Sequence, residues 1–248
     1  MIRFYFEKDK EKKFFLTDFN NISKNNLVRV SPHFHHEKLK IIEKKLGGED
    51  NWVSANSVFS LSSGIEIPGG RIFSESRTNY FYLRPTEINF RGIDKDNIPN
   101  ISASVFEKVR EHRIVSNELC VSAVGTLGKI ALINTDELGI EKENLILSSN
   151  FTKLVPKRKI NELFYYYYFH SFIFQVQVDR EYTITTVKAL RTNKWNHIKV
   201  PNIPLSDQDK IVAEIKTELD KQEAIKKEIE DERDKVDETV GSQLEKIN

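Results

Sequence analysis

Between Pro204 and Gly241 the chain runs for 36 residues without a proline or a glycine, and no other feature constrains its fold as tightly. A stretch this long without either breaker predicts one helix. Pro201 and Pro204 open it, and Ser206 with Asp209 has the spacing of a capping box at its start. Val212, Ile215, Leu219, Ile229, Val236, Val240 and Ile247 fall on three- and four-residue spacing, so they share one narrow stripe. About 40 residues at ~1.5 Å each give a rod of roughly 60 Å. Gln222, Lys226, Arg233 and Gln243 fill other slots of the stripe, which weakens a simple parallel zipper and suits a short or antiparallel partner helix. The other arrangement open to this helix is packing on its own body with a charged face in water.

The helix also explains the charge. The whole chain holds 38 Lys+Arg against 37 Asp+Glu, net +1. Residues 205–248 carry 8 basic and 14 acidic side chains, net −6, leaving 30 basic and 23 acidic in residues 1–204, net +7. The near-neutral total is a basic body joined to an acidic helix.

The body has mixed patterning. Leu39, Ile42 and Leu46 sit at helical spacing within 35–46, which Gly47-Gly48 stops. Asn79 to Leu83 is aromatic and strand-like, with a turn from Thr86 after Arg84-Pro85. Ser102 to Glu111 predicts a capped helix with Val105, Phe106 and Val109 on its apolar face. Leu119–Val124 and Lys129–Ile133 are β-rich runs on either side of Gly125-Thr126-Leu127-Gly128, a tight turn between strands. A further strand fits Phe151–Val155. Asn161–Phe174 has the length of a helix, apolar nearly all round, and therefore predicts burial on most sides, Tyr165 to Tyr168 included. Each pattern occurs once, so the body is expected to be a single α+β domain of about 200 residues.

Several chemistries find no support. No phosphate loop, dinucleotide turn or His-Glu-x-x-His zinc helix occurs, nor does the Asn/Asp-Pro-Pro-aromatic tetrapeptide of amino-methyltransferases. Cys120, the single cysteine, lies within a predicted strand and reads as a small buried residue rather than a nucleophile. His33, His35 and His36 lack a carboxylate or cysteine at ligand spacing and read as a surface turn. Glu43 with Lys45 is an acid-x-Lys pairing that a chain this charged yields by chance. One cysteine fits a reducing compartment. The N-terminus turns charged at Arg3, and the apolar run Leu163–Phe174 is too short to span a bilayer. A soluble, cytoplasmic protein without membrane contact is expected.

What remains is basic residues mixed with aromatics and short polar side chains. Arg71, Arg77, Asn79, Tyr80, Tyr82, Arg84 and Arg91 form one group, whose guanidinium and amide donors match base edges. Thr126 lies in the glycine turn and Lys129 follows it, so backbone N–H groups there are expected to approach a phosphate. Thr183, Thr185, Lys188, Arg191 and Lys194 form a third group of hydroxyls and cations.

These residues carry a family resemblance. Val121-Ser122-Ala123-Val124-Gly125-Thr126-Leu127-Gly128-Lys129-Ile130-Ala131 resembles the strand-turn-strand of target-recognition domains in type I restriction-modification specificity subunits. Tyr82-Leu83-Arg84-Pro85-Thr86-Glu87-Ile88-Asn89, followed by Arg91-Gly92-Ile93, is similar to the segment before a glycine-bearing loop in those domains. The stretch from Ile198 to Val212 resembles the proline-rich entry into their spacer helix. The three motifs stand in the family's order and, with the helix after Asn161, the resemblance covers roughly residues 50–248. Asn117-Glu118 replaces the family's usual Gly-Asp, and Asn202-Ile203 parts two prolines that are commonly closer; both departures fall in turns.

The resemblance implies an α+β fold class: one mixed α/β target-recognition domain over 1–204, with 1–50 as its N-terminal extension, and a long coiled-coil-type spacer and dimerisation helix over 205–248. It also implies a non-catalytic subunit that reads double-stranded DNA. A DNA adenine methyltransferase subunit would bring S-adenosylmethionine, and a restriction/translocase subunit ATP and Mg; this chain would hold no cofactor or metal. The usual specificity subunit has two recognition domains and two spacer helices, so one of each implies a half-subunit. A homodimer through Val212, Ile215, Leu219, Ile229, Val236 and Val240 would then read a bipartite target at fixed spacing. The residues leave one alternative open, a coiled-coil scaffold that binds no DNA.

Overall fold

The computed structural model of the chain describes residues 2–5, 14–17, 51–67, 73–74, 76–89, 92–114, 118–141, 143–184 and 187–245. The expected helix over 35–46 and the three histidines lie outside the described residues. The chain divides into two compact units, Met1–Ile203 and Pro204–Asn248.

The body is built on an antiparallel sheet of β1 (Phe59–Ser63), β2 (Glu118–Ser122), β3 (Ile130–Ile133) and β4 (Phe151–Pro156), in spatial order β1-β4-β2-β3. Leu154 of β4 stands opposite Leu61 on one side and Leu119 on the other. Leu119, Cys120, Val121 and Ser122 are all buried, so β2 is covered on both faces. That accounts for its continuous apolar run in place of alternation. Burial pushes the Cys120 thiol far above its ordinary range, with the Glu118 carboxylate adding to the shift, and Cys120 is structural. Lys153 of β4 bonds Glu118 at 2.7 Å across the sheet.

On one face Cys120, Ala131, Ile133 and Phe151 join a cluster with Leu83, Leu145 and Leu147. Those leucines belong to a parallel strand pair, Phe81–Leu83 with Leu145–Leu147. Helix α1 (Ala103–Val109) begins at Ser102, whose hydroxyl accepts from Val105 N at 3.3 Å. It buries Phe106 and Val109 in a second cluster with Tyr82, Ile101 and Ile146. Each fully buried side chain of this size contributes about 1.5–3 kcal/mol.

Helix α2 (Glu162–His170) packs on β3, and α3 (Phe172–Glu181) packs on α2. The single helix expected over Asn161–Phe174 is in fact two. Ser171 is extended (φ −68°, ψ 152°), its N–H closes α2 on Tyr168 O, and its hydroxyl accepts from Phe174 N to start α3. A serine that caps a new helix competes with continuation of the old one. The break lets the aromatic run fold back on itself: Phe169 meets Phe174 at 4.7 Å and Phe59 meets Tyr165 at 5.0 Å, both edge-to-face. Tyr165 and Tyr168 are buried, with hydroxyls donating to Pro201 O and Lys199 O, while Tyr166 and Tyr167 are half-buried. Lys199–Pro201, near the end of the body, pairs antiparallel with Trp52–Ser54.

At the end of β1, Gly64 allows a close crossing of backbones. A Cβ there would stand 2.1 Å from Ser148 O, while Gly64 N and Ile65 N donate to Phe151 O and Leu147 O.

The second unit is α4 (Leu205–Glu245), a 41-residue helix. It starts one residue before Ser206, because Pro204 O accepts from both Asp207 N and Gln208 N; the expected Ser206/Asp209 capping box therefore lies inside the first turn. Glu218–Lys221, Glu223–Lys226 and Glu232–Lys235 pair one turn apart, worth a few tenths of a kcal/mol each. Along the apolar stripe Val212 is buried and Ile215 half-buried, whereas Leu219, Ile229, Val236 and Val240 are exposed, with Ile225 exposed as well. Among the described residues no helix is long and apolar enough to cross a membrane.

Candidate nucleic-acid interface

The glycine turn is a closed structure. Gly125 and Gly128 have φ of +79° and +74°, a left-handed backbone that residues with a Cβ rarely adopt. Ser122 fixes the loop from inside, its hydroxyl donating to Thr126 O at 2.6 Å and accepting from Lys129 N at 2.8 Å. Gly128 N donates to Ser122 O and Gly125 N to Lys188 O, while Gly128 O accepts from Gln175 Nε2 of α3 at 2.9 Å. The expectation that the N–H groups of this turn face a phosphate is corrected for Gly125, Gly128 and Lys129, whose donors are satisfied within the protein. Thr126 is exposed at the tip.

Lys129 is likewise turned inward. Its Nζ donates to Pro85 O and Ile88 O, each at 2.7 Å, and so ties the hairpin to the single-turn helix Pro85–Glu87. An ammonium held by two carbonyls serves as a strut between the hairpin and that turn.

Of the first group, Arg77 and Asn79 are exposed on a loop held by Thr78, whose hydroxyl donates to Ile101 O at 2.8 Å. Tyr80 is half-buried and stacked on Phe106 at 4.4 Å. Tyr82 is buried and donates to Ile65 O at 2.9 Å; burial, with the charge of Glu66, pushes its phenol above the usual range. Both tyrosines pack in the cluster around Phe106. Arg84 binds the buried Glu87 through Nη2 at 2.6 Å and lies 5.0 Å from the centre of the Phe73 ring. Arg71, Arg91 and Thr185 lie outside the described residues.

The third group converges on the hairpin. Val124 bridges Ala189, and Leu190 N donates to Ala123 O at 2.8 Å. Thr183 lies in a short strand paired with Lys188–Ala189. Lys188 is exposed, 5.0 Å from the centre of the Tyr182 ring, Arg191 is exposed, and Lys194 is half-buried in the turn Thr192–Asn196. The backbone thus brings Thr126, Lys188 and Arg191 to one region from segments about 60 residues apart.

Beside them lies an open cleft of about 400 Å³, lined by Ser63, Ala123, Val124, Ser149, Thr152, Leu190, Arg191, Thr192 and Asn193. The sequence reading found Arg191 and missed the rest. Ser63 ends β1 opposite Thr152 of β4, and Ser149 precedes β4, so the strand pairing brings both to the cleft. The one local signal was a small polar residue preceding Gly64. Among the described residues no three His, Cys, Asp or Glu side chains are grouped to hold a metal.

Residues 6–232 match the family model described as the Type I restriction modification DNA specificity domain. No curated protein is a significant sequence match. Among solved structures, the chain is similar to one described as "Structural basis underlying complex assembly and conformational transition of the type I R-M system" (15% identity, TM-score 0.53, 77% of this chain and 46% of that one). It is also similar to the HsdS subunit from Thermoanaerobacter tengcongensis (15% identity, TM-score 0.51, 77% and 45%). A third is the type IIG restriction endonuclease BpuSI (11% identity, TM-score 0.52, 76% and 29%). The chain spans less than half the length of each of these, and at such identities the likeness is one of fold.

Proposed function

Since the chain belongs to the type I restriction modification DNA specificity family, whose members supply specificity and not catalysis, we propose that its body recognises a specific duplex sequence and directs separate methyltransferase and restriction subunits to it. The observation that carries this reading is the family match itself, which runs through the body and into α4. The exposed residues agree with it: Arg77, Asn79, Thr126, Lys188 and Arg191 present guanidinium, amide, hydroxyl and ammonium groups on a body of net +7. Arg84 joins the base-facing candidates with a guanidinium already oriented by Glu87. S-adenosylmethionine and ATP chemistry belong to the partner subunits in this scheme.

The domain assignment follows: a recognition domain over 1–204 and a spacer helix over 205–248. The exposed stripe of Leu219, Ile229, Val236 and Val240 supports pairing of two copies, which would set two half-sites at a fixed distance on the duplex. The same stripe favours the second reading, a coiled-coil scaffold without DNA.

Selection from a randomised duplex pool followed by sequencing distinguishes the two. An enriched motif, with affinity falling steeply as salt rises from 50 to 200 mM, is expected of the DNA reader; no enrichment refutes it. Light scattering of the wild type and of an L219D/I229D/V236D variant tests the pairing, with a dimer and a monomer as the expected masses. A monomeric wild type refutes the homodimer.

A further inference from the structure

We propose that the polar cleft beside the ends of β1 and β4 is a docking site for a phosphate of the duplex backbone, with Arg191 as its charged anchor and Ser63, Ser149, Thr192 and Asn193 as hydrogen-bond donors. The assignment rests on the DNA-recognition reading above and adds to it four residues and a role.

The lining selects by charge. Of the nine residues, Arg191 is the only charged one, and none is acidic. An anion entering the cleft meets a guanidinium and no carboxylate. The other polar lining is hydroxyl and amide, which like arginine are among the side-chain groups that contact nucleic-acid phosphates.

The lining also discriminates between a phosphate and an extruded base. Its apolar members are Ala123, Val124 and Leu190, and no aromatic ring is among them. A base taken from the stack requires a flat partner on at least one face to recover stacking energy, and the cleft offers none. A tetrahedral anion has no such need.

The cleft is formed before anything binds. Leu190 N donates to Ala123 O and Gly125 N to Lys188 O, which fixes the segment carrying Arg191 against the hairpin. Ser149 N donates to Ile65 O, and Thr152 is buried in the ladder opposite Ser63 and Val121. Backbone held in this way incurs little ordering cost when a ligand arrives.

Anisotropy titrations between 50 and 200 mM KCl test the assignment, using the duplex selected above and an unrelated duplex of equal length. R191A is expected to lose about tenfold in affinity at 50 mM on both duplexes, and its slope of log K against log salt should be shallower by about 0.9. R191K should keep the wild-type slope. An S63A/S149A variant should lose severalfold on both duplexes with its slope unchanged. A loss confined to the selected duplex would make Arg191 a base reader and overturn the assignment, as would an R191A variant that binds like wild type. Inorganic phosphate at constant ionic strength separates the two sources of the anion. Displacement of duplex by millimolar phosphate in the wild type but not in R191A is expected of a shared cleft, whereas Arg191-dependent binding of phosphate that leaves the duplex bound would assign the cleft to a free anion and overturn duplex docking. A wild type that binds neither duplex removes the DNA reading itself, a failure distinct from insensitivity to Arg191.

Discussion

Replacing Glu87 with glutamine tests how the segment carrying Arg84 is held. The Glu87 carboxylate is buried and accepts from Arg84 N at 2.8 Å, Arg84 Nη2 at 2.6 Å and Thr86 Oγ1 at 2.6 Å. Charge-assisted hydrogen bonds contribute about 1.5–3 kcal/mol each and are not additive when they share one acceptor group. Glutamine keeps one carbonyl acceptor but sets an NH2 group against these donors, so about 2–3 kcal/mol of stability should be lost at pH 7. For a body of this size that corresponds to a fall in Tm of roughly 5–10 °C. The pH dependence is a second signature. Burial acts to raise the Glu87 pKa, but the hydrogen bonds and charge of Arg84, with the Thr86 hydroxyl, outweigh it and hold the carboxyl below its ordinary 4.5. A depressed native pKa stabilises the fold above the unfolded value, and that contribution disappears as pH falls from about 4.5 through the native value. Urea unfolding followed by fluorescence of the buried Trp195 should show the gap between wild type and E87Q at full size above about pH 5.5 and closing below about pH 4. A gap under about 0.5 kcal/mol at pH 7, or one of equal size at pH 7 and pH 3, refutes the reasoning.

Further expectations concern the hairpin and the core. K129M removes the ammonium from Pro85 O, which keeps the Ile88 N–H, and from Ile88 O, and should cost about 2 kcal/mol in urea unfolding, while the salt dependence of duplex binding stays at the wild-type slope; a shallower slope would place Lys129 in the phosphate set. G128A forces a Cβ into a left-handed backbone, 2.4 Å from Gln175 Oε1, and should cost about 1–2 kcal/mol by the same measurement. Cys120 is buried, with its thiol pushed far up by burial and the Glu118 charge, so a thiol-reactive chromophore should label it only at the rate of unfolding. Rapid labelling of the native protein would contradict the core assignment.

Local chemistry made parts of this fold readable from the amino acids. The β2–β3 hairpin was legible because two glycines three positions apart, Gly125 and Gly128, punctuate β-rich runs. Ser102 announced α1, and the freedom from breakers after Pro204 announced α4. The break at Ser171 was hidden, since a serine between Phe169 and Phe172 interrupts neither the length nor the hydrophobicity of the run. The parallel pairing of Phe81–Leu83 with Leu145–Leu147 was also hidden, because strands more than 60 residues apart announce no partner. The candidate site followed the same division. Arg77, Asn79, Lys188 and Arg191 were named and stand exposed. Tyr80, Tyr82 and Lys129 were named by type, but residue type does not reveal that a cation points at carbonyls or that a phenol donates inward. Ser63 and Ser149 carried little signal, because their role depends on which strands align.

The inward-turned Lys129, Glu87 and Ser122 have a consequence for how such a surface can change. Together they hold the hairpin and the 84–88 turn in place, and none depends on what Arg77, Asn79, Thr126, Lys188 or Arg191 does. Arg84 excepted, since Glu87 holds it, the anchors and the proposed reading residues are therefore separable at the level of single side chains. In the proposed DNA reading, a combinatorial library varied only at those five outward positions is expected to sample new targets on an unchanged frame, whereas variation at the three anchors is expected to lose stability first.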